Sequence, residues 1–195
     1  EQDNRHIARM SYIPVIEPAS PAEVYQQFLI AMSISRELKM PVVFRMTTHV
    51  CHAKQKVLFN DIGEHFTQHV KPSFDRSSGP MIPMTTRALD MKRRALEKLH
   101  LFSQLIAKNQ PELNAVFSNG NSEKGIITFG LPFLSLQDVL EDVTEKPDVL
   151  KLDVVYPLPQ DKIISFLNDH KQVKILEELD DIIENDIKRI AFENN

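Results

Sequence analysis

Residues 41–52, PVVFRMTTHVCH, constrain the fold more than any other stretch of the chain. Val42, Val43 and Phe44 form a short continuous apolar run after a proline. That is the pattern of a strand covered on both faces, as in a parallel sheet flanked by helices. The run stops at Arg45, Met46, Thr47, Thr48 and His49. Open α/β sheets place their ligands at the carboxyl ends of such strands, so a site edge is expected here.

Upstream, residues 13–16 (IPVI) predict a short strand, and a helix follows. Ser20 is a natural N-cap, Pro21 suits the first helical position, and Glu23 closes an S-x-x-E capping box. Val24, Phe28, Ala31, Ser35 and Leu38 fall on one face of that helix. Lys39, Met40 and Pro41 end it. Strand, helix and strand within about 35 residues make one βαβ unit. A lone unit leaves its sheet incomplete. Further strands are expected, either from elsewhere in the chain or from sequence before Glu1. The opening on Glu1 rather than Met predicts a piece of something longer.

Composition narrows the function classes. The net charge of -4 gives no basic field for nucleic acid. No apolar run is long enough to span a bilayer, and no signal peptide opens the chain. Cys51, the single cysteine, cannot form an internal disulfide and fits a reducing, cytoplasmic compartment. Five glycines leave little from which to build nucleotide-binding loops.

Histidines and arginines need separate weighing. His49, Cys51 and His52 are close enough to suggest a metal site. On a continuing strand, 49 and 51 would share a face and 52 would point the other way. Metal is therefore not expected, and Thr47 and His52 are expected to bond to backbone. His65 and His69 are spaced i, i+4 but have no third ligand, so an exposed pair is expected. By themselves Arg5 and Arg9 are open between surface or interface cations and a grip on a carboxylate.

Residues 71–83 are rich in Pro, Ser and Gly and read as an extended linker. Thr85 or Thr86 then caps a helix to about residue 108, with Leu89, Arg93, Leu96, Leu99, Phe102, Leu105 and Ile106 as a partial stripe. Lys92, Arg93, Arg94 and Lys98 read as its solvated or subunit-facing side. Residues 109–121 read as a loop with an Asn119-Gly120 turn. From there the chain alternates: strand 125–130, helix 135–143, strand 149–155, helix 160–169, strand 173–176, and a last helix capped by Asp180 or Asp181. That is a small parallel α/β domain. Glu177 and Glu178 stand side by side at a strand end, so they face opposite ways and are expected to cap a helix or meet a subunit, not to form a catalytic dyad.

Two blocks resemble a known family. The first runs Glu1-Gln2-Asp3-Asn4-Arg5, then Glu17-Pro18-Ala19-Ser20, then Arg45-Met46-Thr47-Thr48-His49-Val50-Cys51-His52. The second matches at Lys151, Leu152, Tyr156, Pro157, Leu158 and Pro159, then at Glu177 and Glu178. In this order they resemble the thiamine-diphosphate-dependent 2-oxoacid:ferredoxin oxidoreductases, and among these the alpha subunits of the indolepyruvate type. His49 stands where that family usually carries arginine.

The resemblance implies an α/β fold: the rear part of a pyrimidine-side thiamine-binding domain (1–70), a linker and connecting helix (71–121), and a transketolase C-terminal-like parallel α/β domain (122–195). It implies that Arg9 grips the substrate carboxylate and that Thr47 and Thr48 line the same pocket. It also implies oxidative decarboxylation of a 2-oxoacid, with coenzyme A taking the acyl group and ferredoxin the electrons. Thiamine diphosphate with magnesium, and iron–sulfur clusters, would serve the complete enzyme. Gly-Asp-Gly, which holds the metal of the diphosphate, occurs nowhere in this sequence, and one cysteine cannot hold clusters. Those parts are expected in the rest of the subunit or in a partner, in an oligomer. Two other readings stay open: a noncatalytic assembly module, and a transketolase-like subunit that passes acyl groups to lipoamide.

Overall fold

The computed structural model describes residues 3–59, 82–121 and 123–194. The His65/His69 pair and nearly all of the 71–83 stretch lie outside the described residues. The first part contains α1 (Arg5–Met10), β1 (Val15–Ile16), α2 (Pro21–Leu38), β2 (Val43–Phe44) and α3 (Thr48–His52). Then come α4 (Thr85–Asn109), β3 (Val116–Phe117), β4 (Lys124–Phe129), α5 (Gly130–Glu141), β5 (Asp148–Leu152), β6 (Val154–Tyr156), α6 (Gln160–Asp169), β7 (Gln172–Leu176) and α7 (Ile182–Glu193).

Two sheets form, in the orders β2-β1-β6 and β3-β5-β4-β7. β1 and β2 run parallel, as a βαβ unit requires. The third strand of that sheet comes from the far end of the chain: β6 pairs antiparallel with β1. In the second sheet β4 runs parallel to both β5 and β7, and β3 adds an antiparallel edge.

β5 and β6 are one run of chain that changes sheet at Asp153. Asn114, at φ 56, makes the change possible. Its side-chain oxygen accepts from the Asp153 and Val154 amides, each at 2.9 Å, and its own amide donates to Asp153 Oδ2 at 2.9 Å. Asn tolerates this left-handed conformation better than most residues. The amides left over at the strand break are thus satisfied.

Side chains alternate across each strand, and the alternation separates the cores. Ile16 and Val154 pack with Ala31 and Ile34 of α2 and Phe102 and Ile106 of α4. Val15 and Val155 point the other way, into a larger core with Ile127, Phe129, Leu150 and Leu152. Ile163 and Phe166 of α6 and Ile183, Ile187 and Ile190 of α7 close that core. α5 covers the opposite face of the second sheet through Phe133 and Leu136. One core therefore lies under both sheets.

Local signals explain most boundaries. Ser20 Oγ accepts from Glu23 N at 3.4 Å. Glu23 reaches back one residue further than a standard box, to Ala19 N at 2.8 Å. Lys39, at φ 47, ends α2 in the left-handed region.

Several expectations are corrected. The buried face of α2 is Gln27, Ala31 and Ile34, while Phe28 is exposed. Gln27 is drawn inward because its amide donates to Asp153 Oδ1 at 2.7 Å, a pull that apolar periodicity does not register. β2 is a half-buried edge strand of its sheet, not one covered on both faces. Residues 49–52 turn into α3 instead of continuing the strand, so His49, Cys51 and His52 sit exposed on a single helical turn. Val116 and Phe117 form β3 inside the stretch read as a loop, too short a pair to carry a period. α4 starts at Thr85 behind Met84 without a side-chain cap. Leu89 and Leu96 of its expected stripe are exposed. No helix among the described residues is long and apolar enough to cross a membrane.

Candidate functional site

The carboxyl ends of β1, β2, β4 and β7 converge, and each is followed by a residue that an apolar core would not choose. These are Glu17 after β1, Arg45 after β2, Gly130 after β4, and Glu177 with Glu178 after β7. α1 lays Arg5 among them.

Arg5 is the hub and is only 1% exposed. Its Nε donates to both oxygens of Asp3, at 2.9 and 3.0 Å, and its Nη2 also reaches Asp3 Oδ2. Nη1 donates to Glu177 Oε1 at 2.8 Å. Nη2 donates to the Glu178 and Asp180 carbonyls at 2.9 and 3.1 Å. Phe129 lies beneath the guanidinium, with 5.3 Å between Cζ and the ring centre. Such a planar fork can bind several acceptors at once, which an ammonium cannot do. Burial would lower the Arg5 pKa, but the Asp3 hydrogen bond and the surrounding charges outweigh it and hold it above its ordinary value. Burial likewise pushes Asp3 up, and Arg5 outweighs it and leaves that carboxyl below its ordinary value.

Glu177 does two jobs. Besides meeting Arg5, its oxygens accept from Ile183 N and Glu184 N, each at 2.9 Å. It therefore caps α7 from outside the helix, where Asp181 makes no side-chain cap bond. The expectation that this pair caps a helix holds for Glu177, and Asp180 or Asp181 as the capping side chain is corrected.

Glu17 is fully buried. Oε1 accepts from Arg45 Nη1 at 2.5 Å, and Arg45 Nε donates to Asn4 Oδ1 at 3.1 Å. Burial pushes the Glu17 carboxyl above its ordinary value, and the charges of Arg45 and Arg5 do not cancel it. Gly130, at φ 54, lets the chain pass close by: a Cβ there would stand 2.6 Å from Glu17 Oε1.

Of Arg9, Thr47 and Thr48, expected to line a substrate pocket, Arg9 and Thr47 are held by separate partners. Arg9 Nη2 donates to Asp186 Oδ1 on α7 at 2.7 Å, and its side chain is 30% exposed. Thr47 is buried and its hydroxyl accepts from Val50 N at 3.5 Å, capping α3. Thr48 is exposed on the first turn of α3. Arg5, open in the sequence between a surface or interface cation and a grip on a carboxylate, is buried at the centre of the cluster. Its signal in the sequence was the neighbouring Asp3, a carboxylate two residues away before a short helix. Glu17 and Arg45 had a clearer signal, opposite charges each placed straight after a short apolar run.

A second cleft, of about 790 Å3, opens near the amino ends of β4 and β5 beside Asp148, Lys162 and His170. Asp148 and Lys162 are turned inward. Asp148 accepts from the Asn119 and Asn121 amides at 2.6 and 3.1 Å. Lys162 donates to the Leu113 and Asn114 carbonyls at 2.8 and 3.1 Å. Among the described residues no group of three or more His, Cys, Asp or Glu is arranged to hold a metal ion.

No family model matches the chain. Curated relatives do. The chain is 32% identical over 192 residues to indolepyruvate oxidoreductase subunit IorA of Methanothermobacter marburgensis, and 33% identical to the subunit of that name from Methanothermobacter thermautotrophicus. That of Archaeoglobus fulgidus is 29% identical. Each alignment takes in 98% of this chain, which spans 30% of the length of these relatives. Among solved structures, the chain is similar to 2-oxoglutarate:ferredoxin oxidoreductase from Magnetococcus marinus. The TM-score is 0.63 and the identity 14%, over 97% of this chain and 40% of that one. That likeness shows the α/β fold. The resemblance carried by the two sequence blocks is thus found again along nearly the whole chain, in curated relatives of the indolepyruvate type.

Proposed function

We propose that this chain is part of an oxidoreductase subunit acting on 2-oxoacids, with indolepyruvate or another aryl 2-oxoacid as substrate, coenzyme A as acyl acceptor and ferredoxin as electron acceptor. The observation that carries the reading is the similarity over 98% of the chain to subunits named for indolepyruvate oxidation. The reaction breaks the bond between the carboxylate and the keto carbon and releases carbon dioxide. Two electrons pass to oxidised ferredoxin, the acyl group ends on the sulfur of coenzyme A, and the thiol proton leaves to solvent.

Thiamine diphosphate would supply the carbanion-stabilising chemistry. The described residues do not fit its diphosphate. At the strand ends Asp3, Glu17, Glu177 and Glu178 surround Arg5 and Arg45, and both guanidiniums are already engaged. An anion-rich cluster of this kind repels a further anion. The diphosphate, with magnesium, and the iron–sulfur clusters are assigned to the remaining part of the same subunit or to a partner subunit.

The proposed contribution of this chain is a wall of the substrate pocket. Arg9 grips the substrate carboxylate by exchanging Asp186 for it, a trade of one carboxylate for another that costs little because Arg9 is already partly solvated. Thr47 and Thr48, at the turn after β2, line the same wall. The division proposed for the chain is a rear pyrimidine-side thiamine-binding part over 1–70, a linker and connecting helix over 71–121, and a transketolase C-terminal-like domain over 122–195.

The test is reduction of ferredoxin or a dye by the intact complex with pyruvate, indolepyruvate and branched 2-oxoacids. Reduction that requires coenzyme A and favours the aryl substrate is expected. Arg9→Ala should lower kcat/KM by about tenfold to a hundredfold, the loss of one charge-assisted pair. Unchanged kinetics would remove Arg9 from the pocket, and no reduction with any 2-oxoacid would remove the reading itself.

A further inference from the structure

α4 is the longest helix among the described residues, 25 residues and so about 37 Å from end to end. The fold covers its second half. Leu99, Phe102 and Ile106 are buried, and the last two pack with Ala31 and Ile34 of α2. Lys98 marks where that support stops: its Nζ donates at 2.7 Å to the carbonyl of Lys39, the residue that ends α2. Toward the amino end, residues 85–97 are exposed except at the half-buried Ala88 and Ala95. Lys92 there reaches the Tyr12 ring, its Nζ 5.6 Å from the ring centre.

The apolar stripe does not stop where the cover does. Read backward from Ile106, the positions Phe102, Leu99, Ala95, Met91, Ala88 and Met84 follow at steps of three or four, on one face. The outer part of that face is bare, with Met84 64% and Met91 38% exposed. A helical stretch this short is marginal in water without packing. Alanine at 88 and 95 lets another backbone come close, as where two helices pack ridge into groove. The face therefore has the shape of a helix-docking surface.

Charge selects the helix. Residues 85–98 hold Arg87, Lys92, Arg93, Arg94 and Lys98 against Asp90 and Glu97, a basic stretch in a chain of net charge -4. A second copy would bring the same cationic surplus and be repelled, whereas carboxylates along the edges of a partner helix would be attracted. Length says where such a helix is found, since this chain spans 30% of the length of its curated relatives. A helix elsewhere in the same polypeptide is tethered and so arrives at high effective concentration.

On the reading of this chain as part of a longer oxidoreductase subunit, we infer that the first half of α4 docks a helix from the remaining part of that subunit. The docked helix is apolar toward Met84, Ala88, Met91 and Ala95 and acidic along its edges. α4 then joins the core described above to the rest of the subunit.

Hydrogen exchange and carbodiimide coupling on the intact complex test the docking, because carbodiimide joins a lysine to a carboxylate only where the two touch. The amides of 88–96 should be protected, and Lys92 or Lys98 should couple to an Asp or Glu of the subunit outside these 195 residues. In complexes assembled from a mixture of isotope-labelled and unlabelled subunits, each coupled pair should carry a single label. Met91→Glu, at an exposed position, should speed exchange of 88–96 by about tenfold or more, leave 99–109 unchanged and abolish the coupling. Met91→Leu should keep both protection and coupling. Pairs of mixed label, coupling to a partner subunit or within these residues, no coupling, or fast exchange of 88–96 in wild type would each overturn the docking. Ferredoxin reduction is followed separately: its absence in a complex that still couples strikes the reaction and leaves the docking in place.

Discussion

Arg5→Met would leave the hydrophobic packing on Phe129 largely in place while stranding Asp3 and Glu177. Both carboxylates lie almost entirely out of water. Removing one partner of a buried ionic group costs about 3–5 kcal/mol, far more than the net worth of the intact pair. Denaturant unfolding should register a loss of that size, and a change below about 1 kcal/mol would mean that the cluster is solvated. Gly130→Ala is smaller in chemistry and larger in geometry. The new methyl group needs a left-handed backbone and the space of Glu17 Oε1 at the same time. The backbone alone costs about 1–2 kcal/mol, and moving Glu17 strains its bond to Arg45. A stability loss of about 2–4 kcal/mol is expected, read from the shift of the urea midpoint. Alanine at Gly120, also at positive φ but with open space around it, should cost only the backbone share.

At the scale of elements, the second half was the more legible. Strands of five or six residues between helices of ten or twelve leave a period that can be counted, and β4, α6 and β7 lie close to where apolar spacing puts them. The first half misleads where polar partners decide direction. Gln27 turns α2 toward Asp153, and the polar turn after β2 coils into α3 because Thr47 can cap it. The buried Lys151 was invisible for the same reason. It sits in a strand whose residues are all buried, held by Asp153 at 2.5 Å and Glu23 at 2.8 Å. α4 gives a direct check. Phe102 is fully buried against Ile16 and Ala31, so Phe102→Ala should cost about 3–5 kcal/mol. Leu89, 55% exposed on the same helix, should tolerate Ala within about 0.5 kcal/mol. Equal losses at the two positions would contradict the burial of α4 by its second half.

At the scale of the whole molecule, the strand that changes sheet at Asp153 matters more than the two sheets taken apart. β1 and β6 pair across most of the sequence, and Val15 and Val155 share a core with α6 and α7. A chain so joined should unfold as a unit, because neither sheet keeps its core when the other leaves. Fluorescence and circular dichroism should give coincident transitions, and Asp153→Ala should lower both midpoints together. Separated transitions would mean that the two sheets are independent bodies. The pairing of β1 with β6 was not legible, since strands of two and three residues carry no register of their own. The convergence of strand ends was legible only in part: Glu17 and Arg45 stood after apolar runs, but nothing local tied Arg5 to Glu177.

The central claim concerns chemistry, and product analysis tests it most directly. The intact complex would be given an aryl 2-oxoacid, coenzyme A and oxidised ferredoxin, and the acyl thioester and carbon dioxide would be counted against reduced ferredoxin. The account predicts that all three products appear together and that none forms when coenzyme A or ferredoxin is left out. Return of the 2-oxoacid unchanged, or transfer of its acyl group to lipoamide with ferredoxin still oxidised, would contradict it.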